Sequence, residues 1–342
     1  MPITFRTATY AASSRPTRLD ITRVGVDRAR KAGEPAPGAA FAPSPGLLWP
    51  GKRHMQLVAM LEARAAAMPA GEAAAAVAIA AAELASKADA AYRRIYLAEM
   101  RVSAGMREGA PRWGQDEGNA MRRGVRSHAP TWRALLDGTL AGDEPVLTCF
   151  CAHREPSATQ RHTCHRHHLA EILVAYGAVD AGEVDAATVQ PEAPPVAQGD
   201  AKPARAQRKP CNATDVASLV AVSGTRPPKA GAPREVVATY RAIMADVVAT
   251  MAALPAGTVL LHGDADGVDK AAATAAAGAG LEAIAFAAWW DAWSRDAPLV
   301  RNVYCMAAPK LLAWPSRESR GTLHAMGLAR RGGVEVDERR LW

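Results

Sequence analysis

Two groups of residues in this chain are able to do chemistry. The first is a concentration of thiols and imidazoles. Cys149, Cys151, His153, His162, Cys164, His165, His167 and His168 fall within one stretch of twenty residues and take most of the protein's cysteine and histidine. Thiolates and imidazoles are the usual zinc ligands, which makes Cys149, Cys151, Cys164 and His165 candidates to hold a zinc ion. Their spacing is not that of a paired C-x-x-C ribbon, and they lie across a strand–loop–helix junction. On a second reading, Cys164-His165-Arg166 opens a helix whose dipole lowers the thiol pKa, and the guanidinium offers bidentate contacts to phosphate; the three then form an anion site or hold a nucleophile. On a third, Cys149 is packed in a strand and several of the histidines are on the surface.

The second group is spread along residues 223–322. Ser223-Gly224-Thr225-Arg226 follows an apolar run and offers amides, a hydroxyl and a fixed cation. His262-Gly263-Asp264-Ala265-Asp266-Gly267-Val268-Asp269 follows the next. There Gly263 and Gly267 permit positive φ and a close approach to a ligand. Asp264, Asp266 and Asp269 are costly if merely buried, and beside a phosphate turn they accept from ribose hydroxyls or order the loop. A calcium loop is excluded, because the position that should carry the bidentate glutamate is Ala275. Asp269 as a simple helix cap with no ligand is the structural alternative. Trp289-Trp290-Asp291 offers an indole to stack on a base, although at least one tryptophan is expected in the core. Arg301-Asn302 is a plausible ligand pair, and Arg320-Gly321-Thr322 is a second anion-friendly turn into a helix.

The elements needed to position these residues are legible in the hydrophobic pattern. From Val220 to Val334 an apolar strand three times meets a glycine-bearing turn that opens a helix. In a parallel α/β sheet such turns fall side by side at the carboxyl ends of the strands. Upstream, Leu19 and Ile21 mark a short strand. Residues 31–50, rich in Pro and Gly, read as a loop that Pro43 and Pro45 keep from being helical. Residues 55–107 read as helix broken at Met68-Pro69-Ala70-Gly71. A short helix is expected around Thr131–Leu136, a buried strand over Pro145–Cys151, and a helix from Cys164. Residues 180–212 are rich in Ala, Pro and charge and read as a flexible linker. The expected organisation is therefore two α/β domains, 1–185 and 215–342, joined by 186–214. The second is expected to be a Rossmann-like parallel sheet with helices on both faces.

Composition narrows the function classes. The 342-residue chain carries a net charge of +7 and a pI near 9.3. That suits anionic ligands of any size, although the basic residues are dispersed as on an ordinary solvated surface. The longest apolar run, near 73–82, is too short for a membrane span of roughly 20 residues. The amino terminus lacks a signal-peptide layout, and five unevenly placed cysteines do not form a disulfide framework. A cytoplasmic setting is expected, with oligomerisation open.

Two family resemblances follow from these motifs. Leu19-Asp20-Ile21-Thr22, Phe41-Ala42-Pro43-Ser44, Tyr92 to Tyr96, Cys149-Phe150-Cys151 and Cys164-His165-Arg166-His167 together resemble the domain-of-unknown-function 488 family, in the branch met in phage and bacterial genomes. The likeness covers residues 5–185. This chain departs from it in a longer loop between the cysteine elements and in the Ala-rich helical insertion. The resemblance implies an α/β fold and offers Asp20, Cys149, Cys164, His165 and Arg166 as site positions without naming a reaction. S-G-T-R, H-G-D-A-D-G-V-D, W-D…R-N and W-P…R-G-T over residues 216–336 are similar to the YspA/YpsA-related SLOG proteins (domain-of-unknown-function 2493). These are Rossmann-like relatives of the LOG phosphoribohydrolases and of DprA. The resemblance implies binding of a nucleotide or a nucleotide-derived ligand such as ADP-ribose or NAD, in a phage or defence context. The LOG glycine pair is lost, with Ser316 to Ser319 in its place, and Ala325 stands where the LOG glutamate would fall. Binding is thus expected over LOG-type hydrolysis. Three functions stay in competition: nucleotide-ligand binding by the second domain coupled to the first; N-glycosidic or phosphoester cleavage with Cys164, His165, Arg166 and Asp20 as catalytic residues; and DprA-like nucleic-acid binding.

Overall fold

The computed structural model describes residues 4–9, 18–21, 31–33, 36–105, 115–137, 140, 146–149, 165–175, 178–183, 216–316 and 319–340, with the backbone alone in the first three strands and at 165–167, 180, 182 and 183. The chain forms two compact units. One comprises residues 1–49 and 89–206, the other 50–88 and 207–342. The expected boundary near residue 185 gives a different division, because residues 50–88 fall in the carboxy-terminal unit. Two helices are shared between the units: α1 (Pro45–Ala67) and α2 (Glu72–Ala104). The expected break at Met68–Gly71 separates them. The expected loop over 31–50 is corrected at its end, because α1 begins at Pro45, where a missing N–H costs nothing. Ser44 precedes it as a cap, its Oγ accepting from the Leu47 amide at 3.2 Å.

The carboxy-terminal unit holds a five-stranded, all-parallel sheet. Its strands are β5 (Leu219–Gly224), β6 (Val259–His262), β7 (Glu282–Ala285), β8 (Lys310–Trp314) and β9 (Glu335–Glu338), in the order β7-β6-β5-β8-β9. This is the Rossmann-like arrangement expected. The order reverses between β5 and β8, which opens a crevice outside their carboxyl ends. Helices α6 (Arg234–Ala252) and α7 (Val268–Gly278) cover one face, where Ile243, Val247 and Met251 meet Val222, Leu260 and Leu312. After the short helices α8 (Trp290–Trp293) and α9 (Ala297–Arg301), the other face is covered by α10 (Arg320–Arg331), the turn Asn302–Met306 and, unexpectedly, α1 with the first half of α2. Leu57, Leu61, Val77 and Leu84 share one buried cluster with Ala221, Leu261, Leu311 and Met326. An amphipathic helix announces that one face will be buried, but not against which sheet.

Arg64 of α1 secures this packing at one point. Its buried guanidinium donates to the carbonyl oxygens of Gly332 and Gly333, at 3.3 and 3.5 Å, where α10 ends. A cation there meets the negative end of the helix dipole.

The amino-terminal unit carries a parallel sheet of β1 (Thr4–Thr9), β2 (Arg18–Asp20), β3 (Val146–Cys149) and β4 (Val179–Glu183), in the order β2-β3-β1-β4. Strand β4 corrects the linker reading at its first residues. Helices α3 (Gln115–Arg122), α4 (Ala129–Leu136) and α5 (His165–Ala175) complete the unit. Its polar core is the fully buried Glu99, which accepts from the Ser44 amide (2.9 Å), the Ser44 hydroxyl (2.6 Å) and Arg123 Nε (2.9 Å). The Tyr96 hydroxyl donates to the Phe41 carbonyl at 2.6 Å. The Phe41–Ser44 segment is thereby held from inside. Among the described residues, no helix is long and apolar enough to cross a membrane.

Leu61 lies in the cluster between α1 and the sheet. Leu61→Ala is expected to lower stability by about 2–5 kcal/mol in urea unfolding. It should also reduce amide-exchange protection in β5 and β8, which a helix belonging to the other unit would leave untouched.

Candidate functional site

The strand order brings the four motifs of the carboxy-terminal unit to the carboxyl ends of β5, β6, β7 and β8. Their glycines do different work from that expected of a ligand cradle. A Cβ on Gly224 would lie 2.5 Å from the Val268 side chain, so this glycine serves strand-to-helix packing. A Cβ on Gly263 would strike the Arg301 guanidinium at 2.3 Å, so Arg301 lies flat across it. Gly267 has φ +100°, and a Cβ there would meet the Thr225 carbonyl oxygen at 2.3 Å. The approach it allows is of backbone to backbone: the Val268 amide donates to Thr225 O at 3.2 Å. Only Gly321, in the first turn of α10, faces open space.

Asp269 organises the β6–α7 loop. Its carboxylate is buried and accepts from the amides of Gly263 (3.0 Å) and Ala265 (3.3 Å). Those two amides are therefore engaged inside the protein. Burial pushes the Asp269 pKa up to about 6, against the opposing field of Arg301 and the amides it accepts from. The His262 ring is buried too, with Nδ1 accepting from the Asp264 amide at 3.2 Å, which leaves its proton on Nε2. Burial, with the cationic fields of Arg301 and Arg53, holds this imidazole below its ordinary pKa, and Asp264 partly offsets them. Asp264 has φ +57° and is exposed, whereas Asp266 is ion-paired with Lys270 at 2.7 Å.

At the crevice itself the donors are hydroxyls. Thr225 Oγ1 reaches Ser316 Oγ at 3.1 Å, Ser316 Oγ lies 2.7 Å from Ser319 Oγ, and the Ser316 amide donates to Ser319 Oγ at 3.0 Å. Ser319 occupies the cap position of α10, yet its side chain makes no bond to the helix. Among the described residues, which leave out Arg317 and Glu318, the first-turn amides of α10 are thus left without a side-chain cap. Arg226 and Arg320 are exposed at the same ends and make no ion pair among the described residues. The Thr225 amide is taken by Trp314 O at 2.9 Å, and Ser223 and Thr322 are buried.

Arg301 and Asn302 are both buried and joined, with Nε donating to Asn302 Oδ1 at 3.1 Å; Asn302 Nδ2 then donates to Gly321 O at 3.0 Å and lies 3.3 Å from His324 Nδ1. The pair links the β6 loop to the start of α10. The two tryptophans divide as expected: Trp289 is buried and Trp290 is 57% exposed. Asp291 is half-buried in the single turn Trp290–Trp293. Cys305 sits in the core beside Tyr304, and burial pushes its thiol up to about 12, which makes it inert.

Ser316, Ser319 and Arg53 were not legible as site residues. A serine just before R-G-T is a cap signal, and nothing local shows that its hydroxyl turns away from the helix. Arg53 lies far off in the sequence and reaches the site only because α1 joins this unit.

The first group is placed in part. Register sets Asp20 opposite Thr148 and Thr9 opposite Cys149, so the backbones of Asp20 and Cys149 reach the same carboxyl edge on neighbouring strands. His165 and Arg166 begin α5. Cys151, Cys164 and the 186–214 segment lie outside the described residues, as do the side chains of Asp20, Cys149, His165 and Arg166. Among the described residues, no group of three or more His, Cys, Asp or Glu stands together to hold a metal. A cavity of about 790 Å³ lies between α6 and the starts of β5 and β8, where Asp246, Thr250, Lys310 and Arg339 line it. It is at the opposite end of the sheet from the motifs, and its charges are paired with one another: Arg339 with Asp246 and Asp337, Lys310 with Glu335.

In comparisons with family models, curated proteins and solved structures, nothing matched this chain.

Asp269→Ala leaves two loop amides without an acceptor and is expected to cost about 1–3 kcal/mol; Asp269→Asn keeps an oxygen there and should cost less. The wild-type carboxyl has its folded pKa raised from 3.8 to about 6. Its contribution is therefore fully present below the unfolded value and is lost as pH rises through about 6. Comparing urea midpoints of wild type and Asp269→Asn between pH 4 and 8 should show that component missing in the variant. Gly267→Ala, strained in φ and blocked by Thr225 O, should lower the melting temperature more than Gly321→Ala, which meets open space.

Proposed function

We propose that the carboxy-terminal unit binds a phosphorylated nucleoside in the crevice between β5 and β8. The observation carrying this reading is the uncapped start of α10, set at the point where the strand order reverses. Its amides, the Thr225–Ser316–Ser319 hydroxyls and the exposed guanidinium groups of Arg226 and Arg320, which make no ion pair among the described residues, supply donors and positive charge. A helix start so equipped favours a phosphoryl group. The sugar would fall toward the β6 loop, where the exposed Asp264 offers an acceptor for ribose hydroxyls, and the exposed indole of Trp290 offers a face for the base.

The chemistry favours holding the ligand over cleaving it. The position at which a LOG-type glutamate would act is Ala325, which is wholly buried. The nearby His324 is turned toward Asn302, and its pKa is lowered by burial and by Arg331. A neutral imidazole engaged in that way is not placed to activate water.

Titration calorimetry with AMP is expected to show binding by the wild type, weakened about tenfold by Arg226→Gln, the loss of one charged hydrogen bond. Thr225→Val combined with Ser316→Ala should weaken it further, and chromatography after prolonged incubation should recover AMP with its glycosidic bond intact. Failure of adenine and guanine nucleotides alike to bind at millimolar concentration would sink the reading. Released base would overturn the binding-only part.

A further inference from the structure

The start of α1 hangs on a single side chain. From Leu48 to Gln56 only His54 buries one; its neighbours are exposed, half-buried or, at Gly51, without a side chain to bury. Further along, Leu57, Val58 and Leu61 enter the core cluster and hold the helix by themselves. The His54 ring stands among indoles, its centroid 5.5 Å from that of Trp289, just before α8, and 4.9 Å from that of Trp293, at its end. Four residues earlier Pro50 interrupts the helix ladder, because it has no N–H to give to the Gly46 carbonyl. The division between the two compact units falls just before that proline. A segment with a bond missing at its root and one buried anchor opens locally, at far less cost than the unit as a whole.

That anchor suits one protonation state. Nδ1 lies 2.8 Å from the Pro50 carbonyl oxygen and donates its proton there, which leaves Nε2 as the acceptor of a neutral imidazole. Nε2 is buried with no hydrogen-bond partner, and the buried Trp289 indole N–H has none either. A proton arriving at Nε2 makes it a second donor with no acceptor in reach among the described residues, and places a charge out of contact with water. The ionisable groups around it bring no relief. Lys52 and Arg53 on its own helix are cations; Asp291 on α8, Arg295 beyond it and His262 at the end of β6 make no bond to it among the described residues. Burial holds the imidazole below its ordinary pKa of 6.5, and the Pro50 bond is the opposing influence.

We propose that His54 is an acid-sensitive latch on α1. Neutral, it seats residues 50–56 against Trp289 and Trp293; protonated, it leaves its seat, the segment hinges at Pro50, and the two indoles are uncovered. The released ring takes up a proton near 6.5 and the seated ring only at lower pH. Seating is therefore complete above 6.5 and is lost as pH falls below it.

Amide exchange on the full chain, corrected for intrinsic rates, tests the latch between about pH 5 and 8. Opening of residues 51–56 is expected to rise about tenfold for each unit of pH below 6.5, while protection in α7, on the opposite face of the sheet, stays level. His54→Phe fills the seat and takes no proton, so its opening should not vary with pH. His54→Gln, polar and neutral, gives the same reading should the phenylalanine variant fail to fold. His324→Gln removes a different half-buried imidazole and should keep the wild-type dependence. Acid-dependent opening that persists in both His54 variants, or a loss of protection shared equally by α7, would overturn the latch. So would flat wild-type protection while NMR shows His54 taking up its proton, the result expected if the indole faces hold the imidazolium.

Discussion

The Thr225 carbonyl can reach the Val268 amide only because nothing projects from Gly267. That single backbone-to-backbone approach ties the end of β5 to the start of α7 across the end of β6, and much of the site's geometry follows from it. With Val268 drawn in, its side chain occupies the space above Gly224, so both residues are confined to their present size. With α7 begun at that point, Asp269 faces back along the loop and gathers the Gly263 and Ala265 amides. Gly263, held there, leaves the flat surface on which the Arg301 guanidinium rests. Arg301 then orients Asn302, and Asn302 reaches the first turn of α10. A chain of mutually excluding contacts of this kind behaves as a unit, because interiors are close-packed and transmit displacement.

The pattern of residues announced which turns would meet and misassigned what several of them do. Glycine and aspartate at strand ends are visible in the sequence, and parallel topology brings such turns to one edge whatever their contents. Whether a glycine makes room for a ligand or for a neighbour depends on what stands opposite it. For Gly224 and Gly263 the neighbours are Val268 and Arg301, which come from other elements. Asp269 was legible as an acid too costly to bury without purpose, and its purpose proves to be internal. The two short edge strands, Val179–Glu183 and Glu335–Glu338, carry mixed polar sequences with little alternation, which is common where a strand is covered on one side only. Residues 50–88 are the largest departure. Their apolar stripe is plain, but the helices it creates pack on a sheet whose strands begin more than a hundred residues later.

Placing part of the amino-terminal sequence in the carboxy-terminal unit changes what that unit is. A bare five-stranded sheet of this order needs cover on both faces. The crossovers β7–β8 and β8–β9 supply a short helix, a turn and α10 on one of them, and Leu57, Leu61, Val77 and Leu84 complete it. The same recruitment brings His54 against Trp289 and Trp293 beyond the end of β7, and Arg64 to the end of α10. One helix therefore contributes both to the core and to these two ends, and a change in its packing is felt at both.

Helix α10 makes the sharpest contrast between support and opportunity. At its end, the carbonyl oxygens of Gly332 and Gly333 are met by the buried Arg64 guanidinium, so the negative pole of the helix is matched within the protein. At its start, Ser319 stands where a cap belongs and turns its hydroxyl to Ser316 instead, and no acidic residue occupies the first turn. An isolated helix would gain by exchanging these arrangements, with a carboxylate near its amides and a flexible cation at its end. Among the described residues, then, the positive pole is left without a side-chain cap while the negative pole is matched. A helix start in that state favours an anion, and under the proposed reading the phosphoryl group meets it in the crevice beside β5.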